Sequence, residues 1–316
     1  MKRRKFIRNS ALGSLALTIP AIRSFGAHFS PDYNIPRRVL GKTGEELSII
    51  GFGGIMLNDN PQAFANELVA KAYELGVNYY DVAPTYGNAE ERLGPALKPY
   101  RKDCFLACKT HERDADGARK NLEDSLRKLE TDHFDLYQLH ALSSVEDVEQ
   151  VFAPGGAMET IVKAKKDGLI NHIGFSAHSV DAALLAMENF DFDSILFPLN
   201  FVCWNAGNFG PRVFAEAEKQ GMGILALKAM ALTGLKEGEK KIYKNVWYRP
   251  ILDETIMKTA LKYTLSKNIT AAVPPGKNTL FLKALEFMND FGPVTDKETQ
   301  KLHSLAKETE PLFLHA

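Results

Sequence analysis

Cys104-Phe105-Leu106-Ala107-Cys108-Lys109, then Ala115 to Leu129, then Phe134-Asp135-Leu136-Tyr137-Gln138-Leu139-His140: this stretch decides the fold. Its first and third pieces are short apolar runs with β-branched or aromatic neighbours and strand length. The middle piece places Ala115, Ala118, Leu122, Leu126 and Leu129 on a 3-4-4-3 spacing, the apolar stripe of an amphipathic helix. A strand, a helix and a strand in that order make a parallel pair joined by a crossover.

The same alternation extends in both directions. Further apolar runs fall at Ile49–Phe52, Val77–Val82, Ile170–Phe175, Ser194–Phe197, Met222–Leu227 and Thr270–Val273, which brings the strands to eight. Helical stretches lie between them. Pro61–Leu75, Val162–Lys166 and Phe214–Gln220 stop at Gly76, Gly168 and Gly221, where a C-terminal glycine is expected. Eight strand–helix units predict an α/β fold closed as a (β/α)8 TIM barrel. An open doubly wound sheet would want Gly-x-Gly-x-x-Gly after its first strand, and Gly51-Phe52-Gly53-Gly54 lacks the third glycine. Arg38 to Ile50 reads as an N-terminal β-hairpin, and Thr295–Lys307 as an extra C-terminal helix closing the barrel. Residues 37–316 thus form a single domain.

Composition agrees with a large globular core. The 316 residues are 45% hydrophobic and 25% charged, with 39 basic against 39 acidic side chains. Zero net charge gives no sign of a nucleic-acid partner, which would call for a basic stripe. The balance conceals an asymmetry. Met1 to Ala27 carries six basic residues and no acid, leaving 33 basic against 39 acidic in the remainder. The run Ala11 to Ile22 is too short to span a bilayer. With Arg3-Arg4-Lys5-Phe6-Ile7-Arg8 ahead of it and Gly26-Ala27 behind, it has the form of an export signal peptide. That start resembles a bacterial twin-arginine leader. The expectation is a leader over 1–27, a linker over 28–36 and an exported, periplasmic protein. It would meet the export machinery through the leader and make no stable membrane insertion once the leader is removed. Three cysteines, Cys104, Cys108 and Cys203, include no Cys-x-x-Cys, so they read as buried hydrophobes and no metal site is expected.

Barrel enzymes work at the C-terminal ends of their strands. Strand two ends in Asp81, followed by Val82-Ala83-Pro84-Thr85-Tyr86-Gly87; strand three ends in Lys109; strand four ends in His140. An acid, a phenol, an amine and an imidazole thereby reach one face. A free phenol has a pKa near 10. A nearby ammonium favours phenolate and lowers that value, and Asp81 can supply the counter-ion that a buried Lys109 needs. His140 can hold a substrate oxygen. Such a set suits proton donation to a carbonyl oxygen as hydride reaches its carbon, and the hydride calls for a nicotinamide cofactor.

On these residues the chain resembles the aldo-keto reductase superfamily. The carriers are Asp81 to Gly87, Lys109, Leu136-Tyr137-Gln138-Leu139-His140, Gly168 to Ser176, and Val273-Pro274-Pro275-Gly276. The resemblance implies NADP(H), a small-molecule carbonyl substrate and carbonyl–alcohol interconversion. It makes Tyr86 the general acid/base, Lys109 the group that lowers its pKa, Asp81 the partner of Lys109, and His140 the orienting group. For the cofactor it points to Ser176 on the carboxamide, with Ala177 where the family has Asn. His178 either substitutes or caps the helix near Val180. Asn200 is the nearest polar residue to the family's strand-six glutamine. Leu227 stands where the family stacks an aromatic. Lys228 is left to reach pyrophosphate or substrate, or to be solvated. Gly53 and Gly54 would admit close backbone approach. Gly276, Lys277 and Asn278 open a helix suited to a 2′-phosphate, which favours NADP over NAD. Thr233–Pro250 would fold over the pyrophosphate or stay a solvated basic loop. Trp204 and Trp247 are pocket walls or core, and His111 lines the mouth or faces solvent. Two rival functions remain: a tightly held nicotinamide serving isomerisation or epimerisation of a substrate such as a sugar, and an NADP-binding redox sensor without turnover.

Overall fold

A computed structural model describes residues 35–315. The expected leader and the first seven linker residues, 28–34, lie outside them. Ile35, just ahead of the hairpin, is buried in the core.

The hairpin pairs Arg37–Val39 with Glu46–Ser48. It plugs the lower end of the barrel. Leu40 and Leu47 are fully buried among inward residues of six strands. Gly41 takes a positive φ of 50°, and a Cβ there would lie 2.2 Å from the Gly223 nitrogen, so only glycine allows this approach. The Arg38 guanidinium donates to the carbonyls of Ile269 (2.8 Å) and Leu265 (2.9 Å), tying the hairpin to the last turn of the barrel.

Eight parallel strands follow: β1 Phe52–Gly53, β2 Tyr79–Asp81, β3 Phe105–Thr110, β4 Phe134–Leu142, β5 Ile170–Ala177, β6 Ser194–Pro198, β7 Gly223–Leu227 and β8 Ala271–Val273. Each pairs with its neighbour in sequence. A bridge between Ile50 and Ala272 closes the ring: Ala272 N–H donates to Ile49 O (2.8 Å) and Gly51 N–H to Ala272 O (2.9 Å). Closure therefore belongs to the backbone ahead of β1. The C-terminal helix does not close the barrel as expected. It spans Asp296–Lys307, is capped by Thr295 and Glu298 in a reciprocal box, and packs outside on the helices Phe201–Asn205 and Glu254–Leu265.

Strand period sorts side chains between two environments. Tyr80, Leu106, Cys108 and Tyr137 face the helices. Tyr79, Phe105, Ala107, Leu136, Leu196, Leu225 and Ala271 fill the barrel interior. The inward ladders change character as they climb. Tyr79 leads to Asp81, Phe105 and Ala107 lead to Lys109, and Leu136 leads to Gln138 and His140. The bottom is thus an apolar plug and the top a polar floor. All three cysteines are free and buried, and burial pushes the Cys104 thiol up to about 12. Two strands in the expected basic loop, Ala231–Gly234 and Tyr248–Pro250, pair as a ribbon whose connecting segment crosses the barrel mouth. No helix among the described residues is long and apolar enough to cross a membrane.

Candidate active site

The mouth holds a cavity of about 410 Å3 whose lining includes Asp81, Tyr86, Lys109 and His140. These four come from the ends of β2, β3 and β4 and from the turn after β2. Lys109 is completely buried and ion-paired with Asp81. Its ammonium also donates to Val82 O (3.1 Å), which pins the start of the Tyr86 turn. The other carboxylate oxygen of Asp81 accepts from the Tyr79 hydroxyl and the Gln138 amide, both at 3.3 Å. Sequence reasoning missed these two supports. Each lies two residues before a predicted site residue on the same strand, so the inward period could have found them.

The ammonium lies 5.3 Å from the centre of the Tyr86 ring. Burial is the largest influence on the phenol and raises its pKa; the charge of Lys109 pulls it down, and Asp81 raises it again. The net is above the ordinary value. This corrects the expectation of a net lowering by Lys109: without a ligand, the ammonium offsets only part of the desolvation. Lys109 itself is depressed by burial, but Asp81 and Tyr86 outweigh this and hold it charged. Burial and the nearby Lys109 bring His140 down to about 2, so its ring is neutral. That ring meets Tyr86 edge to face at 5.8 Å, and its Nδ1 is 3.4 Å from the Thr85 hydroxyl.

A local distortion aims His140. The β4–β5 register shifts between Leu139 and Leu142, and Ala141 has φ +56°, rare for a non-glycine residue. A bulge of this kind redirects a side chain. Ala141 N–H donates to Ser176 Oγ (2.8 Å), while Arg113 donates to the carbonyls of His140 (3.0 Å) and Ala141 (3.1 Å). Arg113 is held in turn by Asp147 (3.0 Å). Ser176 lines the cavity, and its hydroxyl proton stays free for a ligand.

The remaining predicted residues divide. Gly53, Leu227, Lys228 and Gly276 also line this cavity, with His178, Trp247 and Phe313. His178 does not cap the next helix; Ser179 does, accepting from Ala182 N–H. Gly54 is absent from the lining. A Cβ on it would meet Val82 Cγ2 at 2.9 Å, so packing against β2 requires this glycine. Asn200 is also absent, because its side chain caps the helix Phe201–Asn205 by accepting from Cys203 N–H (2.8 Å). Trp204 packs on Phe214 and Lys267 away from the cavity. His111 is exposed, with its ring 5.6 Å from His140. Lys277 and Asn278 border a second cavity of about 430 Å3, which shares Asn245 and Gly276 with the first. Phe313 was not anticipated. It reaches the mouth because the chain end is tied down by His315 N–H to Gly207 O (2.8 Å) and by ring stacking on Phe209 (5.0 Å).

A sequence model described as "Aldo/keto reductase family" matches residues 49–250. An oxidoreductase of Bacillus subtilis without an assigned role is 30% identical over 155 residues, 45% of this chain and 48% of that protein. The L-galactose dehydrogenase of Arabidopsis thaliana is 28% identical over 219 residues, 64% of this chain and 68% of the relative. The chain thus spans about half the length of the Bacillus relative it matches. A solved Pseudomonas aeruginosa structure assigned to the aldo-keto reductases superposes with a TM-score of 0.64 at 27% identity, over 80% of this chain and 93% of that one. The holo form of a Bacillus halodurans aldo-keto reductase shares the fold, with a TM-score of 0.68 at 23% identity over 89% and 98% of the two chains. The family match covers more than half of the sequence and includes all four residues of the polar floor: the chain belongs to the aldo/keto reductase family.

Proposed function

We propose that the protein is an NADP(H)-dependent oxidoreductase that interconverts an aldehyde or ketone and an alcohol, with Tyr86 as general acid/base. One observation carries this reading: a fully buried Lys109–Asp81 ion pair beneath the Tyr86 ring, in one cavity with a neutral His140.

The residues present fit a dinucleotide. Leu196, Leu227 and Val273 give the inner cavity an apolar wall, and Ser176 offers a hydroxyl in the same lining. Gly276 joins the two cavities where a Cβ would lie 2.8 Å from Ile55 Cγ2 and 2.9 Å from Asn245 O. At the far end, Lys277 sits in the second cavity with its ammonium 5.8 Å from the Tyr243 ring, which supports a 2′-phosphate there. When bound, a reduced nicotinamide supplies the hydride.

This chain's own side chains manage the proton. The phenol of Tyr86 stays protonated at neutral pH because burial holds its pKa up. The His140 ring, neutral, donates a hydrogen bond that places the carbonyl oxygen against Tyr86. As negative charge grows on that oxygen, the Tyr86 proton moves to it, and the fixed Lys109 ammonium stabilises the phenolate left behind. Asp81 keeps Lys109 charged and in place. Alcohol oxidation runs the same proton path in reverse.

A second reading is favoured by the crossing segment. Lys244 pairs with Asp59 (2.6 Å), and Asn245 donates to Ile55 O (3.0 Å), so the strap is fastened across the two cavities. Such fastening suits a cofactor that stays bound through exchange of substrate, as isomerisation would need and as export of a loaded protein would favour. One experiment addresses both. Extensively dialysed protein is supplied with NADPH and a panel of aldehydes and ketones, and NADPH absorbance is followed. Loss of absorbance that depends on carbonyl supports the reductase. Nicotinamide that survives dialysis, with no consumption of added NADPH, supports the second reading.

A further inference from the structure

The charges of the catalytic cavity do not balance. Lys109 is neutralised by Asp81, and His140 and His178 are neutral, the latter brought down to about 4 by burial and by Lys228. Lys228 remains. It directly follows β7 and lines the same cavity. Among the described residues, no carboxylate lies within ion-pair distance of it. Its ammonium instead rests 5.1 Å from the centre of the Trp247 ring and 4.9 Å from that of Tyr248. Burial brings it down to about 8. Its backbone also takes φ +68°, a left-handed conformation that costs a side-chain-bearing residue energy. The two aromatic faces offset part of the cost of desolvating the charge. An anion would offset the rest.

Resting on the reductase reading of this cavity, we infer that Lys228 is an anion-recognising residue on the side of the mouth opposite Tyr86, and that the substrate is a carbonyl compound carrying a carboxylate or phosphate group. The alternative source of an anionic oxygen is the cofactor's own pyrophosphate. The position of Lys228 favours the substrate. It shares the compartment of Tyr86 and His140, whereas Lys244 and Lys277 border the second cavity beyond Gly276. His178, uncharged and in the same lining, can donate a second hydrogen bond to the same group.

The test compares wild type with Lys228→Met and Lys228→Gly. The glycine variant relieves the positive φ, so its thermal midpoint should equal or exceed that of wild type. Lys240→Met, an exposed lysine of the same loop, controls for general loss of charge. Four dissociation constants are measured, by fluorescence or calorimetry: for NADPH, inorganic pyrophosphate, 4-carboxybenzaldehyde and benzaldehyde. The inference predicts that both Lys228 variants weaken 4-carboxybenzaldehyde at least tenfold relative to benzaldehyde, with NADPH changed by less than twofold. Weaker NADPH and pyrophosphate with an unchanged aldehyde ratio would assign Lys228 to the cofactor and overturn the inference. So would an unchanged set of four constants, or no preference for the charged aldehyde in wild type. If wild type bound the charged aldehyde through Lys228 but no NADPH, the reductase reading would fall and the anion site would stand.

Discussion

The two sides of the barrel mouth are built differently. On the β2–β4 side every charge is answered: Asp81 holds Lys109, Tyr79 and Gln138 satisfy Asp81, and Arg113 and Ser176 brace the strand end that aims His140. On the β5–β7 side the lining includes Ser176, His178, Leu196, Leu227 and a lysine against two aromatic rings, under a strap and a chain end drawn in from elsewhere. The first side is a finished proton device. The second is shaped to receive something. A barrel can keep one arc rigid for chemistry and vary the other for ligands, because each strand end is a separate attachment point.

The sharpest way to break this contrast is to unbalance the finished side. Lys109→Met leaves the Asp81 carboxylate buried without its partner, and Asp81→Asn leaves the ammonium so. Either is expected to cost about 3–5 kcal/mol of stability, the usual penalty for breaking a buried ion pair. The double substitution should cost less than the two singles together, because neither charge is then stranded. Chemical denaturation checks this. Additive losses would mean that the pair is not coupled.

Acid titration reads across both sides. His140 and His178 have folded pKa values brought down to about 2 and about 4. An unfolded imidazole takes up its proton near pH 6.5. Their folded environments therefore contribute stability above that pH, and it is lost as pH falls from about 6.5 toward 4, where only the unfolded chain is protonated. Unfolding near pH 5 should take up about two protons through these residues. His178→Asn should roughly halve the pH slope of the denaturation midpoint. An unchanged slope would mean that His178 titrates freely and does not belong to the dry lining.

Most of the fold could be read from the sequence because the barrel repeats one local rule. Eight apolar runs gave eight strands, and Gly76, Gly168 and Gly221 each end a helix with positive φ. The polar floor was legible for a related reason: Asp81 ends its strand, and Lys109 and His140 lie one and two residues short of the ends of theirs, at positions the inward period fixes. The β5–β7 side was harder. Asn200, read as the nearest polar stand-in for a strand-six glutamine, is instead a helix cap, and short polar side chains at a strand end serve capping as readily as binding. The crossing of the Thr233–Pro250 segment was one of two expected courses, but its fastening and the place of Phe313 depend on contacts between segments far apart in sequence, Asp59 with Lys244 and Gly207 with His315. The direction of the Tyr86 shift was misjudged because a sequence displays neighbouring charges but not the extent of desolvation.

Carbonyl reduction at this site turns on the Tyr86 proton, and single-turnover reduction of an aldehyde by enzyme loaded with NADPH tests that role most directly. Tyr86→Phe should slow that turnover by about 10²–10⁴-fold, the range for loss of a general acid, while NADPH affinity stays within about twofold of wild type. A Tyr86→Phe protein that reduced the aldehyde at the wild-type rate would contradict it.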